Sequence, residues 1–131
     1  MTTKDASLRN PLARARGLGS AKSGFLHWRT LRVTALALIP LTIWFVIAVI
    51  AHLGSPLPEL RAWIGHPINA ALFILFIAIG LHHAAHGLTE VYEDYIHGHH
   101  AKLIADLATK GVALFLGAAM IVSVLKIAIL G

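Results

Sequence analysis

The amino-acid sequence predicts an all-α membrane protein of three transmembrane helices, part of a larger anchor helix bundle, and three observations carry that prediction. The 131 residues are 57% hydrophobic and only 13% charged, with a positive mean hydropathy that soluble domains rarely reach. Three apolar runs are each long enough to cross a hydrocarbon core of ~30 Å at ~1.5 Å per residue. Three helices enclose too little volume to surround a large cofactor, so partner chains are expected from size alone.

Residues 1–28 read as a mobile basic tail, with Lys4, Arg9, Arg14, Arg16 and Lys22 set against Asp5, and residues 29–131 as the three-helix anchor domain. The basic start imitates a transit or signal peptide. The apolar run that follows is too long for a signal core and no cleavage site is convincing, so the segment is read as mature sequence. The net charge of +5 is spread along a tail leading into a membrane span, which points to lipid headgroups and partner proteins rather than nucleic acid. The chain has no cysteine, which excludes disulfides and thiolate-ligated iron-sulfur clusters from it.

The first span covers about residues 33–53 without a charge and contains Pro40. Neighbouring groups re-satisfy the carbonyl that a membrane proline frees, so a modest kink is expected rather than a break. His52, Gly54, Ser55, Pro56 and Pro58 end the helix in a short loop, and Trp63 suits an interface anchor. The second span covers about residues 67–92, opening with Pro67 as a first-turn residue and staying apolar from Ile68 to Leu81. The third covers about residues 104–130, where Gly111, Gly117, Ala118 and Ser123 are small enough to allow close helix packing, although alanine-rich helices show such spacings by chance.

Orientation follows from Lys and Arg beside the spans. The tail with Arg29 and Arg32 outnumbers the first loop, which has Arg61 opposite Glu59, so the N-terminus is expected in the cytoplasm. Lys102 and Lys110 place the loop between the second and third spans on the same side. The expected location is a bacterial inner membrane, crossed several times, or the equivalent membrane of an organelle with the tail in the matrix.

Chemistry concentrates in residues 81–100, where His82, His83 and His86 are followed by Glu90, Glu93, Asp94, Tyr95, His97, His99 and His100. A charge at the bilayer centre costs roughly 2.5 kcal/mol or more, so ionisable groups at membrane depth mark function by default. At 100° per residue Gly87, Glu90 and Asp94 fall within about 40° of His83 and form one stripe. Histidine with glycine one turn along can ligate a flat macrocycle through nitrogen and let it approach the backbone; a lone intramembrane histidine can equally bond across helices. His82 and His86, spaced i, i+4, have the spacing to chelate a metal, but no third ligand accompanies them.

The pattern His83-x-x-x-Gly87-x-x-x-Val91-x-x-Asp94-Tyr95-Ile96-His97 resembles the signature of the small hydrophobic anchor subunits of succinate dehydrogenase (complex II). Gly24-x-x-His27-Trp28, Arg32-Val33-Thr34-Ala35 and Pro40-Leu41-x-x-Trp44-Phe45 resemble the start of the first helix in bacterial members, particularly alphaproteobacterial ones. The resemblance spans about residues 24–130. It departs where the chain has Arg29 and Leu31 in place of an aromatic after the tryptophan and a glutamine before the arginine.

The resemblance implies that His83 is an axial ligand of a haem b shared with a cytochrome b556 anchor subunit, which supplies the other histidine. It implies that Arg32, and with it His27, sits near the haem propionates, where a guanidinium forms charge-assisted bonds; a basic residue at a helix start is also a plain topology anchor. Tyr95 matches a quinone-site tyrosine whose phenol donates to a quinone carbonyl, with Asp94 beside it to orient it or help deliver protons. Read without the resemblance, Asp94 and Tyr95 are a solvated carboxylate and an interface aromatic. His97, His99 and His100 stay open between a proton-collecting surface, a metal-binding tract and a polar loop.

The implied assembly has a flavoprotein subunit that oxidises succinate, an iron-sulfur subunit that carries electrons to the membrane, and ubiquinone as the substrate reduced there. The chain is not an enzyme on its own, since nothing in it resembles a flavin fingerprint. Rival readings are a cytochrome b-type subunit of another quinone-linked respiratory enzyme, a haem-free structural membrane anchor, and a small transporter. His52 and His66 at the outer ends lack a di-haem pattern, and neither repeats nor broken helices mark a transporter.

Overall fold

A computed structural model describes residues 11–12 and 22–131. Of the basic tail, Lys4, Arg9, Arg14 and Arg16 therefore lie outside the described residues. Within residues 22–131 the regular elements are all helices, α1 at Lys22–Ala51, α2 at Leu57–Gly65, α3 at Pro67–Tyr95 and α4 at His99–Leu130. Three of these, α1 from Gly24 onward, α3 and α4, are long and apolar enough to cross a membrane. At 30, 29 and 32 residues they measure about 45 Å, longer than a ~30 Å hydrocarbon core, so their ends reach the headgroups.

The chain divides into two units, residues 1–30 and 31–131. In the first, the Phe25 and Trp28 rings stack with centroids 6.1 Å apart, and the Thr30 hydroxyl donates to the Leu26 carbonyl at 2.8 Å. The helix that starts at Lys22 continues through Pro40 to Ala51 unbroken.

In the second unit, the segment read from sequence as a short loop contains a helix. Gly54, at φ +80°, turns the chain after α1 in a conformation that L side chains rarely adopt, and Ser55 N–H closes the turn on the His52 carbonyl at 3.1 Å. A proline in the first turn and Glu59 at the positive end of the dipole then favour α2. Trp63 of α2 is more than an interface anchor: its ring lies 6.1 Å from Trp44 of α1, 5.7 Å from Phe73 of α3 and 4.1 Å from His52. With Phe45 stacked on Phe76 at 4.8 Å, these rings tie α1 and α2 to α3.

The longest contact is the α3–α4 hairpin, joined by the three residues Ile96, His97 and Gly98. Ile96 is extended, with φ −103° and ψ 118°, which ends α3 after Tyr95. Gly117 of α4 is buried against α3: a Cβ there would meet Leu81 Cδ1 at 3.2 Å. Of the four small residues singled out in the sequence, Gly117 does the packing, since Gly111 meets nothing within 4 Å and Ala118 and Ser123 are exposed. Gly65 of α2 plays the same part against α4, its would-be Cβ 3.1 Å from the Ile127 carbonyl. The buried apolar residues are accordingly small: Ala48, Ala70, Ala85 and Val124.

Candidate functional site

The three histidines in the C-terminal half of α3 separate by face. His83 is half-buried, and its Nδ1 lies 2.9 Å from the hydroxyl of Thr34 on α1. His82 and His86 turn to α4, with ring centroids 4.1 Å apart, and His86 Nδ1 donates to the His82 carbonyl at 3.0 Å. Both line a groove of about 560 Å³ between α3 and α4, together with Lys110 and small residues including Gly117 and Ala118. No group of three or more potential metal ligands occurs among the described residues, and the His82–His86 pair thus acquires no third ligand.

Space beside His83 suits a flat macrocycle. A Cβ added to Gly87, one turn toward the C-terminal end of α3, would meet nothing within 4 Å. One imidazole on this face offers a single nitrogen donor, a donor set that would fit a haem together with a second donor from another chain.

Eleven residues separate His83 from Asp94, about 16 Å along the helix axis, which takes the same stripe from within the bilayer to its surface. Asp94 and Tyr95 form the last turn of α3. Tyr95 is 79% exposed, so any pocket that encloses its phenol must be completed by another chain. Arg32 is exposed on α1, two residues before Thr34; His27 is half-buried in the first unit. His97 and Gly98 form the connection, and His99 and His100 open α4 with rings 5.8 Å apart.

Sequence reading did not find the polar seam that crosslinks α3 and α4. Thr89 Oγ1 donates to Asp106 Oδ1 at 2.8 Å, Lys110 Nζ donates to Asp106 Oδ2 at 2.7 Å, and the Tyr92 and Thr109 hydroxyls share a hydrogen bond of 2.8 Å. The signal was present, because Asp106 is the sole acid in α4 and a lone carboxylate in a membrane helix needs a partner. The seam faces away from the His83 stripe and clamps the end of α3 that carries Asp94 and Tyr95.

The family model described as "Succinate dehydrogenase/Fumarate reductase transmembrane subunit" matches residues 6–125. Relatives named succinate dehydrogenase hydrophobic membrane anchor subunit are similar to the chain in three bacteria. That of Paracoccus denitrificans is 36% identical over 88 residues, 67% of this chain and 68% of the relative. That of Rickettsia bellii is 33% identical over 88 residues, covering 67% and 70%, and that of Rickettsia conorii 32% identical over 89 residues, covering 67% and 71%. No solved structure matches. With three membrane-length helices and a family match over nearly the whole chain, the protein belongs to the transmembrane subunits of succinate dehydrogenase and fumarate reductase, among the hydrophobic membrane anchors.

Proposed function

We propose that this chain anchors a succinate:quinone oxidoreductase in a bacterial inner membrane, with its N-terminus in the cytoplasm, and that it lends residues to two sites. His83 would hold, through one ring nitrogen, a haem b shared with a cytochrome b556 anchor subunit. Asp94 and Tyr95 form part of the site where ubiquinone is reduced. The observation that supports this reading is that His83 and Tyr95 lie on one membrane-length helix, the first beside open space and the second at the helix's C-terminal end. Haem, when bound, supplies a one-electron couple inside the bilayer.

The chain's own residues then act by position. His83 offers a nitrogen while neutral, the cheapest state for an ionisable side chain in lipid. Arg32, near the start of the first span, and His27 one turn earlier serve carboxylates at the membrane surface, the chemistry of a propionate pair. Tyr95 O–H donates to a quinone carbonyl, and Asp94, beside it at the water boundary, orients the phenol or passes protons inward. Succinate itself is oxidised elsewhere, on a flavoprotein subunit joined to the membrane by an iron-sulfur subunit.

Purification through this chain from its own membranes tests the proposal. The expected result is a complex in which a flavoprotein, an iron-sulfur protein and a second membrane subunit co-purify and succinate drives ubiquinone reduction. Recovery of the chain without a flavoprotein and without succinate-dependent quinone reduction overturns it.

A further inference from the structure

The bond between Thr34 and His83 joins α1 to α3 at the histidine read as the haem ligand, and it constrains the protonation of that ring. Thr34 Oγ1 lies 3.1 Å from the Leu31 carbonyl oxygen and 2.9 Å from His83 Nδ1. A carbonyl only accepts, and a threonine hydroxyl has one proton, so the contact with Leu31 takes that proton. The lone pair of the hydroxyl is then left to receive a proton from the ring. Both contacts are satisfied together only when Nδ1 carries hydrogen, which leaves the lone pair of the neutral imidazole on Nε2. Threonine in a membrane helix commonly bonds back to its own helix in this way, and the back-bond holds the hydroxyl in place for its second partner.

We propose that Thr34 is a positioning residue for the haem ligand: accepting from His83 Nδ1–H, it fixes the tautomer and ring orientation, presents Nε2 to iron and raises the electron donation of the imidazole. The inference rests on the reading of His83 as an axial ligand. A metal-ligating histidine nearly always donates its other N–H to an oxygen acceptor, and here the acceptor is itself polarised by the Leu31 carbonyl. His86 also has its Nδ1 held, but by the carbonyl of His82 in its own helix, so its ring stays on the α4 side.

The test uses the complex purified through this chain, with haem counted per flavin so that only assembled complexes are compared. Thr34→Val keeps the shape and removes the acceptor, Thr34→Ala removes it without any steric demand, and Thr34→Ser restores it. In both Thr34→Val and Thr34→Ala, haem affinity is expected to fall about tenfold, the low end of what loss of such a partner does to metal binding. The haem midpoint potential is expected to rise, because a less electron-donating imidazole stabilises ferric iron less; Thr34→Ser returns both to the native values. If haem content and potential are native in Thr34→Val and Thr34→Ala while His83→Ala loses its haem, the role of Thr34 is overturned and that of His83 stands. If His83→Ala keeps a native haem, the ligand reading fails and the proposal with it.

Discussion

At the scale of single residues, three neighbouring histidines have two different surroundings. His83 meets a hydroxyl on another helix, whereas His82 and His86 meet each other beside Lys110. His83 was singled out in the sequence by the resemblance of its spacing to Asp94 and Tyr95 to a family signature, since spacing alone left a plain bond across helices open. Its partner Thr34 was not legible there, because a contact between residues 49 apart is tertiary and leaves no trace in local periodicity. Tyr95 shows the converse: its place near the end of the second span was legible, although the helix runs past the expected end at about residue 92 to Tyr95 itself, and its exposure shows that this chain alone does not enclose it. Tyr95→Phe removes one hydrogen-bond donor, worth about 1 kcal/mol. The expected outcome is a rise of roughly fivefold in the KM for ubiquinone, with succinate-dependent reduction of a water-soluble dye unchanged; an unaltered KM argues against a phenol–quinone bond.

At the scale of elements, hydropathy found the three spans because each is bounded by charge or by glycine and proline. It missed α2, which is only 9 residues long and lacks the continuous apolar run that marks a span. It also missed the seam of Thr89, Asp106 and Lys110, since the pairing of two helix faces depends on the geometry of the hairpin. Association of membrane helices relies on close packing rather than on a hydrophobic drive, so small residues at the contact matter more than large ones. Gly117 is such a contact and Gly111 is not. Gly117→Val crowds Leu81 and is expected to destabilise the hairpin by about 1–3 kcal/mol, seen as a lower melting temperature of the purified complex. Gly111→Val, where open space awaits the side chain, is expected to leave that temperature within error.

At the scale of the whole molecule, the pattern of burial is that of a chain made to be surrounded. Among the described residues the buried apolar ones are three alanines and a valine, while Leu114, Phe115 and Ile129 of α4 are each 73–76% exposed. In water such a surface would drive aggregation; among lipid chains and partner helices it is satisfied. Under the proposed function the chemistry is incomplete in the same way, with one histidine offered to the haem and one exposed tyrosine offered to the quinone. Complementary residues must come from other subunits, which is why the central claim is tested in the assembled complex. The most direct measurement is a reduced-minus-oxidised visible spectrum of that complex, with succinate and then dithionite as reductants, for the native chain and for His83→Ala, His82→Ala and His86→Ala. The expected result is a b-type band in the native complex that is lost or shifted in His83→Ala and retained in the other two. A native complex without haem, or a band that survives His83→Ala unchanged, would contradict the assignment.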